Sequence, residues 1–153
     1  MDYKIVKREE FKVLGLKLTN NTVDMMFGEL WKTLATRDKD ILPLAKQPIR
    51  SYGVSFNIKM DPITFDYMAA LEVEDVDTIP EGAEVLTIPA QEYAVFETNL
   101  TTLMETIHSI YNEWLPRSDY KRGHGPEFEL YEADFEPEGP NSTLYLYIPV
   151  VKK

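Results

Sequence analysis

The sequence predicts an α+β domain in which two βαββ units, related by pseudo-twofold symmetry, contribute antiparallel sheets and two main helices. Several segments alternate apolar and polar residues with the period of two that is typical of β-strands. Two other segments place apolar residues at helical spacing. The order of these patterns repeats after about 80 residues. We therefore assign residues 1–153 to a single domain, with repeat halves at about 1–78 and 79–153.

The first half begins with alternation over residues 11–19, which predicts a strand. Asn20, Asn21 and Thr22 are typical helix N-cap residues, so they predict that a helix starts directly after this strand. The apolar face of that helix consists of Val23, Met26, Phe27, Leu30, Trp31 and Leu34. The remaining elements are a short helix at 38–45, strands at 51–58 and 64–74 around a turn at Asp61-Pro62, and a polar connection at 75–84.

The second half follows the same order. Residues 84–98 carry strand signals that are broken near Pro89, and residues 102–105 have the spacing of a capping box. The helical stripe that follows consists of Leu103, Ile107, Ile110, Tyr111 and Trp114. Residues 116–126 are predicted to form a loop, and residues 128–135 and 143–151 to form strands.

The two halves can be aligned element by element. The helices correspond at an offset of 80, which pairs Trp31 with Tyr111. The first strands correspond at an offset of 82, and residues 52–56 correspond to 131–135 at an offset of 79. Differences in loop length produce such drift. Any two helical stripes can be aligned by chance, but here three elements agree in order and in approximate spacing.

Composition excludes several classes of function. With 16 Lys and Arg against 26 Asp and Glu, the formal net charge of −10 argues against direct binding of nucleic acid and fits attraction of cations. The absence of cysteine excludes disulfides and thiolate metal sites, and the two histidines lack metal-ligand spacing, so we expect no metal and no cofactor. The chain has no signal-peptide pattern and no run of roughly 20 apolar residues. We therefore expect a cytoplasmic protein without membrane contact.

Glu129 interrupts an otherwise apolar strand. In the segment FELY, residues 128–131, it shares a face with Tyr131 and, further along, with Phe135. A buried carboxylate is costly unless another group compensates it. The compensating group is an internal arginine, water or a cationic guest. At the offset of 79 the counterpart of Glu129 is Arg50, which makes an Arg50–Glu129 pair the simplest structural interpretation.

Residues 92–135 resemble the C-terminal half of the GyrI-like small-molecule-binding domain, and the resemblance extends over almost the whole chain. No single motif is decisive, but the combination and the duplication are fairly specific. The matching segments are Tyr93-Ala94-Val95-Phe96, Glu113-Trp114-Leu115-Pro116, Pro126-Glu127-Phe128-Glu129-Leu130-Tyr131, Leu30-Trp31, Tyr52-Gly53-Val54 and the strand 67–73.

This resemblance implies a central ligand groove between the duplicated units. In drug-binding members, the acidic residue of a Glu-x-Tyr strand motif meets a cationic ligand inside an aromatic cage, and Glu129 and Tyr131 match that motif. Some stand-alone members are hydrolases of strained cyclopropane compounds, and one is a DNA gyrase inhibitor. Unlike the regulators, this sequence shows no DNA-binding segment, so we do not expect direct promoter binding.

Strand phase, helix phase and the resemblance together nominate eight ligand-binding residues, and ordinary core packing is the alternative for each aromatic one. Trp31 and Tyr67 are the strongest aromatic candidates, because phase and resemblance agree. The full set is Phe27, Trp31, Tyr52, Tyr67, Trp114, Glu129, Tyr131 and Tyr147.

Three functions remain open from the sequence. The first is a binding domain for lipophilic, cationic small molecules, linked to a transcriptional or xenobiotic response. The second is a hydrolase in which Glu129, with a pKa raised by desolvation, acts as general base. The third is an acidic protein inhibitor of a DNA enzyme, or a co-regulator, that uses the acidic surface. The acidic run at residues 72–77 is most simply a solvated strand end, and its alternative role is to mimic the charge of nucleic acid. The sequence leaves the ligand, a protein partner and the oligomeric state undetermined.

Overall fold

The computed structural model describes residues 1–22 and 25–153, so Val23 of the predicted helical stripe lies outside the described residues. The described residues contain nine strands: β1 Lys4–Arg8, β2 Phe11–Asn21, β3 Ser51–Lys59, β4 Thr64–Val73, β5 Glu84–Ile88, β6 Gln91–Thr98, β7 Tyr120–Arg122, β8 Glu127–Tyr131 and β9 Leu144–Lys152. The helices are α1 Gly28–Ala35, α2 Asp38–Ile41, α3 Leu103–Ser109 and α4 Leu115–Arg117. A 3₁₀ turn, Leu42–Leu44, follows α2, and a π-helical turn, Ile110–Trp114, joins α3 to α4. No helix within these ranges is long and apolar enough to cross a membrane.

The strand order reveals the duplication. The antiparallel sheet runs β1-β6-β9-β8-β3-β4-β2-β5, with β7 added beside β9. Exchanging β1 with β5, β2 with β6, β3 with β8 and β4 with β9 gives the same order in reverse. The pseudo-twofold axis therefore lies between β8 and β3. Each unit begins with a strand that the βαββ prediction lacks, and this first strand pairs with the other unit: β1 with β6, and β5 with β2. The second unit also has β7, which the prediction lacks. The division of the chain near residue 78 remains a prediction.

The sheet is strongly curved. Only residues 9–10 separate β1 from β2, although these strands lie near opposite ends of the strand order, and only residues 89–90 separate β5 from β6. Three Cα steps span at most about 11 Å, so the two ends of the sheet must approach each other. The inner face of this curve encloses a core that includes Val13, Tyr52 and Phe128.

The outer face is covered by the helices. Leu30 and Leu34 of α1 pack over β2 and β4, and Ile110 of the π turn packs over β6 and β9. The two central strands, β8 and β3, therefore lie between the part of the sheet covered by α1 and the part covered by the π turn. The outer faces of these two strands are thus flanked by helices on both sides.

The register corrects the predicted offset of 79 for the central strands. Gly53 lies opposite Glu129, and Tyr52 lies opposite Leu130. Opposed residues in an antiparallel pair share a face, and neighbours along a strand alternate. Tyr52 therefore points to the inner face and Tyr131 to the outer face, so they are not equivalent. When an alignment is wrong by one residue, every side chain of the strand is assigned to the opposite face of the sheet.

The predicted helix start at Asn20–Thr22 is also wrong. Strand β2 continues to Asn21, and α1 begins at Gly28 after Phe27, with Met26 outside the helix and 88% exposed. The asparagines stabilise the strand end instead. The Asn20 backbone N–H donates to Asp66, and the Asn21 side chain donates to backbone carbonyls of β2 and β4. Two later boundaries differ as well: β7 lies within the predicted loop 116–126, and β8 ends at Tyr131.

Candidate functional site

Glu129 points to the outer face of the sheet, between the two helical layers. Its Oε1 accepts a hydrogen bond of 2.6 Å from the Tyr67 hydroxyl, and the Trp31 Nε1–H donates to the same hydroxyl at 3.1 Å. Tyr131 also stabilises the carboxylate. Three residues predicted from strand and helix phase are thus linked by hydrogen bonds: Trp31 donates to Tyr67, and Tyr67 donates to the Glu129 carboxylate.

Burial raises the pKa of Glu129 to about 7. Hydrogen bonds from Tyr67 and Tyr131 lower this pKa, and the nearby Glu127 carboxylate raises it. Across residues 1–22 and 25–153, no ion pair involves Glu129. The carboxylate is desolvated, although Glu129 as a whole residue is only partly buried. It lacks a cationic partner among these residues.

The structure does not contain the Arg50–Glu129 pair that the sequence allowed. The Arg50 Nε donates to Glu132 at 3.1 Å, and an Arg50 terminal nitrogen lies 4.0 Å from Glu72. Glu72 shares the inner face with Tyr52, its hydrogen-bond partner. The compensating group for Glu129 is thus a pair of phenols rather than an arginine.

Five rings surround the carboxylate and its partners, and we call Phe27, Trp31, Tyr67, Tyr131 and Phe135 the aromatic cluster. Phe27 stacks on Tyr67 with 3.8 Å between ring centroids and 11° between planes. Trp31 meets Tyr131 edge-on at 5.5 Å, and Phe135 meets Tyr131 at 4.7 Å. Phe135 was not among the predicted site residues, although its phase with Glu129 and Tyr131 was visible in the sequence.

Three predicted residues lie elsewhere. Tyr147 opposes Phe128 and stacks on it at 4.7 Å, so it points to the inner face with Tyr52. Trp114 lies on the outer face but packs between Tyr3 and Phe96, with centroid distances of 4.8 and 5.0 Å. The structure therefore brings Glu129 together with Phe27, Trp31, Tyr67 and Tyr131, and separates these from Tyr52, Trp114 and Tyr147.

Glu127 offers an internal comparison for Glu129. It lies two residues away on the same face of β8, but its Oε1 accepts hydrogen bonds from Arg122 at 3.0 and 3.2 Å and from the Tyr111 hydroxyl. Arg122 also donates to the backbone carbonyls of Gly123 and Gly125. One carboxylate of this strand thus has a permanent cationic partner, and the other has none within the part of the chain that the structure describes.

Two open depressions of the surface lie away from Glu129. One, of about 540 Å³, includes Asn57 and Asp66, and the other, of about 750 Å³, includes Tyr3 and Tyr147. Neither includes a residue of the aromatic cluster.

The acidic run at residues 72–77 contributes less exposed charge than its sequence suggests. Glu72 is 6% exposed and pairs with Arg8 at 3.0 Å. Asp75 pairs with Lys12 at 2.7 Å. These two carboxylates already have cationic partners within the chain.

Comparison with known proteins identifies the family. The sequence model of the GyrI-like small molecule binding domain matches residues 1–151. The transcriptional regulator BrlR of Pseudomonas aeruginosa is 32% identical over 153 residues, which cover 98% of this chain and 56% of the regulator. The chain thus spans little more than half the length of that relative. The DNA gyrase inhibitor of Erwinia billingiae is 28% identical over 163 residues, which cover 99% of each chain.

A solved structure shows the same fold. The structure of SAV2435 bound to tetraphenylphosphonium superimposes with a TM-score of 0.81 at 17% identity, and the match covers 99% of this chain and 94% of that chain. The α+β fold predicted from the sequence, and the resemblance that supported it, are confirmed.

Proposed function

Because the chain belongs to the GyrI-like small-molecule-binding family, we propose that it binds lipophilic cations through Glu129 and the aromatic cluster. One observation carries this proposal: a desolvated carboxylate has phenol partners and no cationic partner among the described residues. Aromatic faces attract cations by about 0.5–2 kcal/mol per contact, depending on desolvation. A carboxylate among such rings favours a flat cation over a neutral molecule of the same shape.

The comparisons support the class of ligand and the biological setting. SAV2435 binds tetraphenylphosphonium, which is a lipophilic cation with four aromatic rings. BrlR is a transcriptional regulator, and this chain matches 56% of its length. We propose a cytoplasmic role in sensing or sequestering such compounds, linked to a transcriptional or xenobiotic response. Isothermal titration with tetraphenylphosphonium tests the proposal, and absence of saturable binding would contradict it.

Binding of the cation should depend on pH. Only ionised Glu129 offers a charge, and burial raises its pKa to about 7. We expect the affinity for tetraphenylphosphonium to be highest above pH 7 and to fall about tenfold per unit below it. Titrations at pH 5.5, 7 and 8.5 measure this slope. A profile that is flat across these values would show that Glu129 does not supply the charge.

Tryptophan fluorescence should report the site, because the chain has only two tryptophans and the structure separates them. Trp31 belongs to the aromatic cluster, whereas Trp114 packs against Tyr3 and Phe96. We expect tetraphenylphosphonium to change the emission of the wild type and of Trp114→Phe, but not that of Trp31→Phe. The opposite assignment would place the ligand elsewhere.

A hydrolase is the second candidate, and the Tyr67–Glu129 pair supports it. A carboxylate with a pKa of about 7 is suited to accept a proton from water, and a phenol at 2.6 Å can orient that carboxylate. Incubation with an electrophilic cyclopropane substrate separates the two functions. Turnover lost in Glu129→Gln would establish the enzyme, whereas unchanged substrate would leave binding as the function.

A further inference from the structure

We propose that Gly53 is the positioning residue of this site: the missing side chain at position 53 creates the space in which the Glu129 carboxylate and the Tyr67 hydroxyl meet. This inference rests on the proposed function for its importance, but it concerns a residue that makes no polar side-chain contact itself. Any side chain at this point in the sheet would move the carboxylate away from the place where it receives a guest.

The place of Gly53 in the sheet is the first argument. Strand β3 runs between β8 and β4, and Gly53 lies opposite Glu129 on one side and opposite Ala69 on the other. Tyr67 lies on the same face, two residues from Ala69. Side chains of opposed and diagonal residues come within contact distance in an antiparallel sheet. Glu129 and Tyr67 therefore reach over β3 from its two neighbours and meet above Gly53.

The available space is the second argument. A Cβ atom built on Gly53 would lie far inside van der Waals contact of both Glu129 Oε1 and the Tyr67 hydroxyl oxygen, and 2.9 Å from Tyr67 Cζ. The colliding atoms belong to the ends of side chains, not to the backbone. An alanine can thus be accommodated by side-chain movement, and the sheet itself can remain intact.

The third argument identifies the side chain that moves. Tyr67 is held by its stacking with Phe27 and by the donor group of Trp31. Glu129 forms no ion pair among the described residues and is held by phenols alone. A methyl group at position 53 should therefore displace the carboxylate rather than the ring. The displaced group would point towards solvent and behave as an ordinary glutamate.

The pseudo-symmetry is consistent with this role. The axis lies between β8 and β3, and Glu129 and Gly53 face each other across it. At this central pair, one unit contributes a carboxylate and the other contributes a residue with no side chain. The site thus has one charge rather than two, and it has room for that charge.

Gly53→Ala tests the inference. We expect the folded variant to bind tetraphenylphosphonium about tenfold or more weakly, since residues in contact can couple by that amount. We also expect the Glu129 carboxyl, followed by carbon NMR, to titrate closer to the usual glutamate pKa, which a loss of stability alone would not cause. Gly28→Ala is the matched control, because a Cβ at Gly28 meets no atom within 4 Å.

A double-mutant cycle shows whether Gly53 acts through Glu129. In the Glu129→Gln background, Gly53→Ala should cause no further loss of affinity. Equal losses in both backgrounds, or an unchanged Glu129 titration in Gly53→Ala, would overturn the inference. If Gly53→Ala does not fold, the same measurements are made in Tyr67→Phe chains, where the hydroxyl that the methyl would meet is absent. If the wild type does not bind the cation, the proposed function fails, and the NMR titration still decides the role of Gly53.

Discussion

Glu129→Gln should abolish tight binding of lipophilic cations and at the same time stabilise the protein above pH 7. The amide keeps the shape of the side chain and can still accept the hydrogen bond of Tyr67, but it has no charge. Loss of a charge-assisted contact costs about 2–3 kcal/mol, which corresponds to a rise in Kd of roughly 30–150-fold. Titration calorimetry at pH 8 measures this change.

The gain in stability follows from the raised pKa. A carboxyl that holds its proton more tightly in the folded state than in the unfolded chain stabilises the fold below the unfolded value. For Glu129 that contribution is lost as the pH rises from about 4.5 through about 7. Glu129→Gln avoids the cost of ionisation, so we expect it to be more stable than the wild type by about 1–3 kcal/mol at pH 8 and equally stable at pH 4. Urea denaturation at both pH values measures the difference.

Glu127→Gln is the matched control for both measurements. The two glutamates lie on the same face of β8, but Glu127 is already paired with Arg122. Its removal should leave most of the affinity for tetraphenylphosphonium and should not stabilise the protein at pH 8. Equal effects of the two substitutions would mean that a general negative potential, rather than Glu129, attracts the ligand.

Glu72→Ala should cause the largest loss of stability. The Glu72 side chain is 7% exposed, and Arg8 donates to it at 3.0 Å and to the Tyr52 hydroxyl at 2.6 Å. Lys46 and Arg50 approach it at 3.8 and 4.0 Å. Removal of one partner of a buried ion pair costs about 3–5 kcal/mol, because the other charge remains without compensation.

The melting temperature of Glu72→Ala should fall by roughly 10 °C or more, and calorimetry measures this fall. Asp75→Asn is the control, because its pair with Lys12 is exposed and should leave the midpoint unchanged. Since Glu72 and Glu129 lie on opposite faces of the sheet, folded Glu72→Ala should keep its affinity for tetraphenylphosphonium. A melting temperature equal to that of the wild type would show that the cluster around Glu72 does not hold the curved sheet together.

Features that depend only on neighbouring residues could be predicted from the sequence. The alternation around Glu129 and the stripe from Phe27 to Leu34 depend on neighbouring residues, so their phase was readable without coordinates. For the same reason, the shared phase of Glu129 and Tyr131 could be predicted. Trp31 and Tyr67 reach the same place because α1 covers the strand that carries Tyr67.

Strand register and contacts between residues distant in sequence could not be predicted from the sequence. The face of Tyr52 depends on the register between β3 and β8, and an alignment error of one residue made Tyr52 equivalent to Tyr131. Arg8, Tyr52 and Glu72 meet only because the sheet curves, although 44 and 64 residues separate Arg8 from its two partners. The role of the asparagines at the end of β2 was also hidden, because Asn and Ser favour helix caps and turns alike.

The central claim is that Glu129 is an ionisable carboxyl group whose negative charge is compensated by a bound cationic ligand. Carbon NMR of the Glu129 carboxyl, assigned by its loss in Glu129→Gln, tests this claim with and without tetraphenylphosphonium. In the free protein we expect a pKa of about 7, and in the complex a clearly lower value, with release of a proton on binding near neutral pH. A pKa close to 4.5 in the free protein, unchanged by the cation, would contradict it.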